Sequence, residues 1–200
     1  MNSVITWDEA ILKAHHQLMR ENDTKELGKI RQHANEHLQQ SWINENTSLK
    51  VALQSELRGT PGYDFNESSW DLIDSCGEAP SFLTIQSKYR GGKSTSGAFH
   101  MEQTRRNSRK NKGTASESGH VTYSNDEFDV ALFTRPAEII PQFNGNEDLI
   151  AIPEHALRDP NRPGFLYRSV PMSVVREWAA IPASEVLESL RMKKLSTHGA

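Results

Sequence analysis

Helical spacing at both ends, with a cluster of strand-length apolar runs between, places this 200-residue chain in the α/β or α+β class. Three observations carry that assignment. Apolar residues recur at helical intervals through the first 57 residues, come in short runs between Trp70 and Ile152, and return to helical intervals after Val174. The length fits one domain, or one domain with an appendage. Hydrophobic residues make up 36% of the chain and mean hydropathy is −0.67, so a polar surface surrounds a modest core. No run approaches the roughly 18 apolar residues of a membrane span, and the first twenty residues lack a signal peptide's apolar centre. The single cysteine, Cys76, cannot form an internal disulfide and argues against a disulfide-rich secreted scaffold. A cytoplasmic protein without a membrane partner is the expectation.

The elements follow in order. Thr6 caps a helix opening at Trp7, with Glu9 placed for a capping box, and Ile11, Leu12, Ala14, Leu18 and Met19 repeat at helical spacing. Asp23 or Thr24 caps a second helix through Leu27, Ile30, Ala34, Leu38 and Trp42. Thr47 or Ser48 opens a third, ended by Gly59 and Pro61. Trp70 to Ser75 and Ser81 to Tyr89 read as a hairpin around Cys76-Gly77-Glu78-Ala79-Pro80, and Ala98 to Gln103 as another strand. Gly91 to Gly97 and Asn107 to Asn125 are polar and predict mobile loops. Phe128 to Thr134, Leu149 to Ile152 and Phe165 to Val170 are further strands; Val174 to Ala180 and Ser184 to Met192 are terminal helices.

A net charge of −3 argues against a nucleic-acid partner until it is resolved along the chain. From Lys88 to Lys112, eight basic side chains face one acid, Glu102. That segment therefore holds +7, and the other 175 residues −10. A basic block in an acidic protein is a candidate footprint for a phosphate backbone.

The hairpin carries the chemistry. With a turn centred near Glu78, antiparallel partners have residue numbers summing to about 156, so Asp71 falls nearly opposite Gln86, sum 157. Alternation puts Gln86 and Lys88 on one face and gives Leu83, Ile85 and Ser87 to the core face. A carboxylate, an amide oxygen and an ammonium thus converge at one end of two strands. Asp71 and the Gln86 oxygen suit Mg²⁺, a hard ion that takes oxygen ligands and keeps several waters. Lys88 suits the orientation of an attacking water or the neutralisation of phosphate charge. Glu56, ending the third helix, is a further carboxylate.

Asp71-Leu72-Ile73, a hairpin, then Ile85-Gln86-Ser87-Lys88 resemble the active-site core of the PD-(D/E)xK nucleases, the restriction-endonuclease-like superfamily. Thr104-Arg105-Arg106, a polar loop, then Tyr123 and Glu127 to Val130 resemble members in which a strand follows the catalytic hairpin. Leu149 to Pro153 fits the next strand. The resemblance covers about residues 48 to 157. It implies a mixed central sheet flanked by helices, with 48–200 the nuclease core and its C-terminal helices; residues 1–47 have no counterpart in it and are expected to be a helical extension for DNA recognition or dimerisation. It further implies a metal-dependent endodeoxyribonuclease using Mg²⁺, for which Mn²⁺ substitutes. Asp71 is then the metal-binding aspartate, Gln86 takes the acidic position as the second ligand, Lys88 is the catalytic lysine, and Glu56 is the helix glutamate. Two departures stand out: Trp70 rather than proline precedes Asp71, and Gln86 brings no negative charge, which weakens metal affinity. Lys93, Arg105, Arg106, Arg109, Lys110 and Lys112 are the candidate DNA contacts. Cutting both strands of a duplex needs two sites, hence an expected homodimer. A type II restriction enzyme is the expected role; homing, repair, or an inactive DNA-binding module on the same fold are the alternatives.

Other signals carry less. His33-Ala34-Asn35-Glu36-His37 matches HxxEH, but a zinc-protease reading lacks a third ligand, and the neighbouring glutamines predict a solvated helical face. Gly91-Gly92-Lys93-Ser94 lacks the first glycine of a phosphate loop, since position 87 is Ser87. Asp74 competes with Asp71 for the metal, but its parity puts it on the other face. Trp7, Trp42 and Trp178 read as packing anchors.

Overall fold

Thr6 opens the first helix as expected: its hydroxyl accepts from the Glu9 N–H while the Glu9 carboxylate accepts from the Thr6 N–H at 2.7 Å, so two otherwise orphaned donors are met. The computed structural model describes residues 4–21, 27–57, 70–74, 82–89, 99–104, 120–134 and 149–198. Helix α1 spans Trp7–Arg20, and α2 spans Leu27–Asn46; the proposed caps of α2, Asp23 and Thr24, lie outside the described residues.

The third expected helix is mostly not one. Val51–Leu53 forms strand β1, and only Gln54–Leu57 makes a turn of helix, α3. Val51 and Leu53 are buried on either side of a half-exposed Ala52, the period-2 pattern of a strand, and β1 pairs antiparallel with β2, Leu72–Asp74. Long-range pairing overrides a local pattern that also satisfies a helix.

Strand β3, Thr84–Tyr89, pairs antiparallel with β2 in the register Leu72↔Ile85 and Ile73↔Thr84, a sum of 157 against the expected value of about 156. Two strands replace the one expected over Ala98 to Gln103: β4, Phe99–His100, and β5, Glu102–Thr104. Strand β6, His120–Thr122, pairs with β5, so this part of the expected polar loop is sheet. Strand β7, Val130–Thr134, runs parallel to β3, and β8, Leu149–Pro153, antiparallel to β7. A 3-10 turn over Glu154–Leu157 follows. Of the strand expected over Phe165 to Val170, Ser169–Val170 is β9, paired with β4, while Phe165 and Leu166 make isolated bridges. Helices α4, Met172–Ala179, and α5, Ala183–His198, end the chain.

The result is an α/β fold around a mixed five-stranded sheet ordered β1-β2-β3-β7-β8 and flanked by helices. Alternation gives the sheet two apolar faces. Leu72, Ile85, Val130, Leu132 and Ala151 pack with Trp42 and Ile43 of α2 and with Ala183, Val186 and Leu187 of α5. Ala131, Phe133, Ile150 and Ile152 pack with Phe99, Tyr123, Phe128 and Val175. Each large side chain fully buried here contributes about 2 kcal/mol. Helix α2, expected within an extension, is therefore joined to the same core as the strands.

Four amide side chains of α2 make that join. Asn35 donates to Ser87 Oγ at 2.9 Å, and Gln39 to the Leu132 carbonyl at 2.9 Å and Thr134 Oγ1 at 2.5 Å. Asn44 donates to the Val51 carbonyl and accepts from its N–H, while Gln40 adds a second bond to that carbonyl. Among the described residues no helix is long and apolar enough to cross a membrane.

Candidate active site

Asp71 sits one residue before β2 and is fixed at both backbone poles. Its N–H donates to the Ile85 carbonyl and its carbonyl accepts from the Gln54 N–H, each at 2.9 Å. Its half-buried carboxylate therefore meets β3 at a set height. Oδ2 accepts from the Gln86 side-chain amide and, at 2.8 Å, from the Ser87 N–H. The Gln86 Nε2 also donates to the Ser87 carbonyl at 3.2 Å. These bonds leave Asp71 Oδ1 and Gln86 Oε1 accepting no hydrogen bond among the described residues.

Lys88, two residues along the same face, sends its Nζ to the Tyr123 hydroxyl at 2.6 Å and lies 4.5 Å from the centre of that ring. Three of the four residues expected at the site are thus together. Glu56 is not with them. Its Oε2 accepts from the Leu53 N–H at 2.9 Å and from Gln40 Nε2 at 2.7 Å, which spends it on the outer edge of β1.

The carboxylate that acts on Asp71 and Lys88 is Glu36 of α2. Asn35, Glu36, His37 and Gln39 are all buried, which corrects the expectation of a solvated helical face. The polar residues of this helix point at strand backbones and the site rather than at water, and that is why the glutamines mislead. Glu36 Oε2 pairs with His33 Nδ1 at 2.8 Å and Oε1 accepts from Gln32 at 3.3 Å. Gln17 of α1 lies 3.4 Å from the same His33 nitrogen.

The electrostatics reflect this enclosure. Burial, reinforced by the like charge of Glu36, pushes the Asp71 carboxyl up to about 8, against the pull of Lys88 and the Ser87 N–H. Burial likewise pushes Lys88 down to about 8, opposed by Asp71 and Glu36. His33 is raised: burial works to lower it, but its bond to Glu36 and the charges of Glu36, Glu21 and Asp71 outweigh that. His37, buried and near Lys13, is pushed down to about 4 and is neutral.

Among the described residues no group of three or more His, Cys, Asp or Glu side chains is placed to hold a metal ion. The donor set that is present is smaller: one open carboxylate oxygen and one open amide oxygen. Such a pair fits a hard cation that keeps most of its water. The expected DNA contacts Lys93, Arg105, Arg106, Arg109, Lys110 and Lys112 lie outside the described residues, as does Cys76. Asp74 is engaged elsewhere, with Arg191 Nε at 3.1 Å and the Lys50 N–H at 3.3 Å.

Sequence reasoning missed Glu36 and Tyr123. The HxxEH pattern was the signal for the first; for Tyr123, no local pattern marks a hydroxyl that meets a lysine 35 residues away. No protein-family model, no curated protein and no solved structure gives a significant match to the chain.

Proposed function

We propose that this protein is a Mg²⁺-dependent endodeoxyribonuclease on a restriction-endonuclease-like core, acting on double-stranded DNA as a homodimer, with type II restriction as its role. The observation that carries this reading is the convergence of Asp71, Gln86 and Lys88 at one end of β2 and β3, with the oxygen donors open and the ammonium bonded elsewhere. In the central sheet β7 lies beside β3 and β8 beside β7, an arrangement compatible with the resemblance. The +7 block beginning at Lys88 supplies charge for the phosphate backbone.

Asp71 Oδ1 and Gln86 Oε1 are the oxygens to hold Mg²⁺. When bound, the ion supplies polarisation of the scissile phosphate and acidification of a coordinated water. Lys88 neutralises charge that gathers on the phosphate, or orients the attacking water. Glu36 supplies the negative charge that Gln86 lacks, from α2 rather than from the strand. The His33 pair and the Gln32 amide hold that carboxylate in place.

Plasmid DNA incubated with the purified protein tests this. Discrete fragments are expected with Mg²⁺ or Mn²⁺, none with EDTA, and none from Asp71→Ala or Lys88→Ala. DNA binding without cleavage in either metal would leave an inactive DNA-binding module on this fold as the better account.

A further inference from the structure

Lys88 is drawn by two carboxylates and bonded to neither. Asp71 and Glu36 both attract its charge, yet its only hydrogen bond among the described residues goes to the neutral Tyr123 hydroxyl, at 2.6 Å. A lysine carries its charge on a flexible four-carbon stem, so attraction alone would fold it onto a neighbouring carboxylate. Something holds it off.

Tyr123 is built to do so because it is itself held. It is 2% exposed, its ring stands edge-on to Phe128 at 5.3 Å and 89°, and its carbonyl accepts from the Leu166 N–H at 2.9 Å. The ring face also lies near the ammonium, 4.5 Å from centroid to Nζ, which adds attraction from a second part of the same side chain. The hydroxyl is therefore an acceptor at a fixed point, reached from the segment after β6 rather than from the hairpin that carries Asp71.

We propose that Tyr123 is a positioning residue whose hydroxyl keeps the Lys88 ammonium off the Asp71 carboxylate, leaving Asp71 Oδ1 and Gln86 Oε1 open to a divalent cation. This rests on the reading of Asp71, Gln86 and Lys88 as the cation site of a nuclease. Without the hydroxyl, Lys88 pairs with Asp71 and competes with the cation for it.

Tyr123→Phe is the test, since it keeps the ring and its packing and removes one oxygen. A cation-free crystal structure of this variant is expected to show Lys88 Nζ within hydrogen-bond distance of Asp71. By titration calorimetry, its Mn²⁺ dissociation constant is expected to rise about tenfold, within the 10- to 100-fold range for partners that orient metal ligands. The double variant Tyr123→Phe/Lys88→Met is expected to return to wild-type affinity or tighter, because the competing ammonium is gone. An unmoved Lys88 in Tyr123→Phe, or a double variant as weak as the single, overturns the proposal. A wild type that cuts DNA while Lys88 stays unmoved in the variant sinks this inference alone. A wild type that binds Mn²⁺ but leaves DNA intact, with the Lys88 shift present in Tyr123→Phe, sinks the nuclease reading alone. A wild type that binds no Mn²⁺ sinks both.

Discussion

At the start of β3, the Asp129 carboxylate accepts from the N–H and hydroxyl of Thr84, each at 2.7 Å, and from Lys194 Nζ at 2.6 Å. Near its end, among the described residues, Asp71 accepts only from neutral donors, and Lys88 donates to a phenol instead. The same residue types are present at both ends, and only one end pairs its opposite charges. A carboxylate with its cation in contact has reached its best local arrangement and has little left for a ligand. A carboxylate and an ammonium held apart in a desolvated place keep their interactions in reserve. Asp74 with Arg191 belongs with the first kind. Separation of charge, rather than its presence, marks the candidate site.

Three measurements sharpen or break that contrast. The largest effect is expected from Glu36→Gln, which should lower metal-dependent cleavage by about 10- to 100-fold, the loss usual for a group that orients or tunes a metal ligand. Glu56→Gln, removing a charge already spent on the edge of β1, should stay within about threefold. Equal losses in both, read from initial cleavage rates, would erase the distinction between the two glutamates.

Asp129→Ala comes next. It removes the carboxylate from Lys194 and strands two Thr84 donors, and should cost about 2 kcal/mol of stability by urea unfolding, with cleavage near wild type. A stable variant with no activity would reverse the assignment of the two ends.

The third measurement is the pH dependence of stability. Asp71 is raised from 3.8 to about 8, so the folded chain keeps a proton there that the unfolded chain releases. Its contribution to stability is full below about pH 4 and is lost as pH rises through about 8. Lys88, lowered from 10.5 to about 8, holds fewer protons folded than unfolded, so stability recovers between about pH 8 and 10.5. Urea midpoints should therefore pass through a minimum near pH 8. Asp71→Asn should remove its acid limb, and a limb that persists in that variant must come from another group.

Much of this contrast was legible in the sequence. The capping box at Thr6 and the pairing of Asp71 with Gln86 follow from local rules: capping spacing, and residue numbers summed across a turn. What was not legible depended on distant partners. Val51–Leu53 reads equally well in a helix until β2 is there to pair with it. Asn35 and Gln39 look like surface residues because their partners, Ser87 and Leu132, are 52 and 93 residues away. Glu36 looked solvated because the charges it acts on, Asp71 and Lys88, are 35 and 52 residues away.

The outer edge of β1 has one further consequence. Asn44 takes both the N–H and the carbonyl of Val51, and Glu56 takes the N–H of Leu53. An exposed edge strand is an invitation to a stranger's backbone and a common start of aggregation. Here the chain's own side chains have already answered at those positions. Two copies of this protein cannot join by continuing the sheet through β1 without first breaking those bonds, so the proposed homodimer would draw on other surfaces.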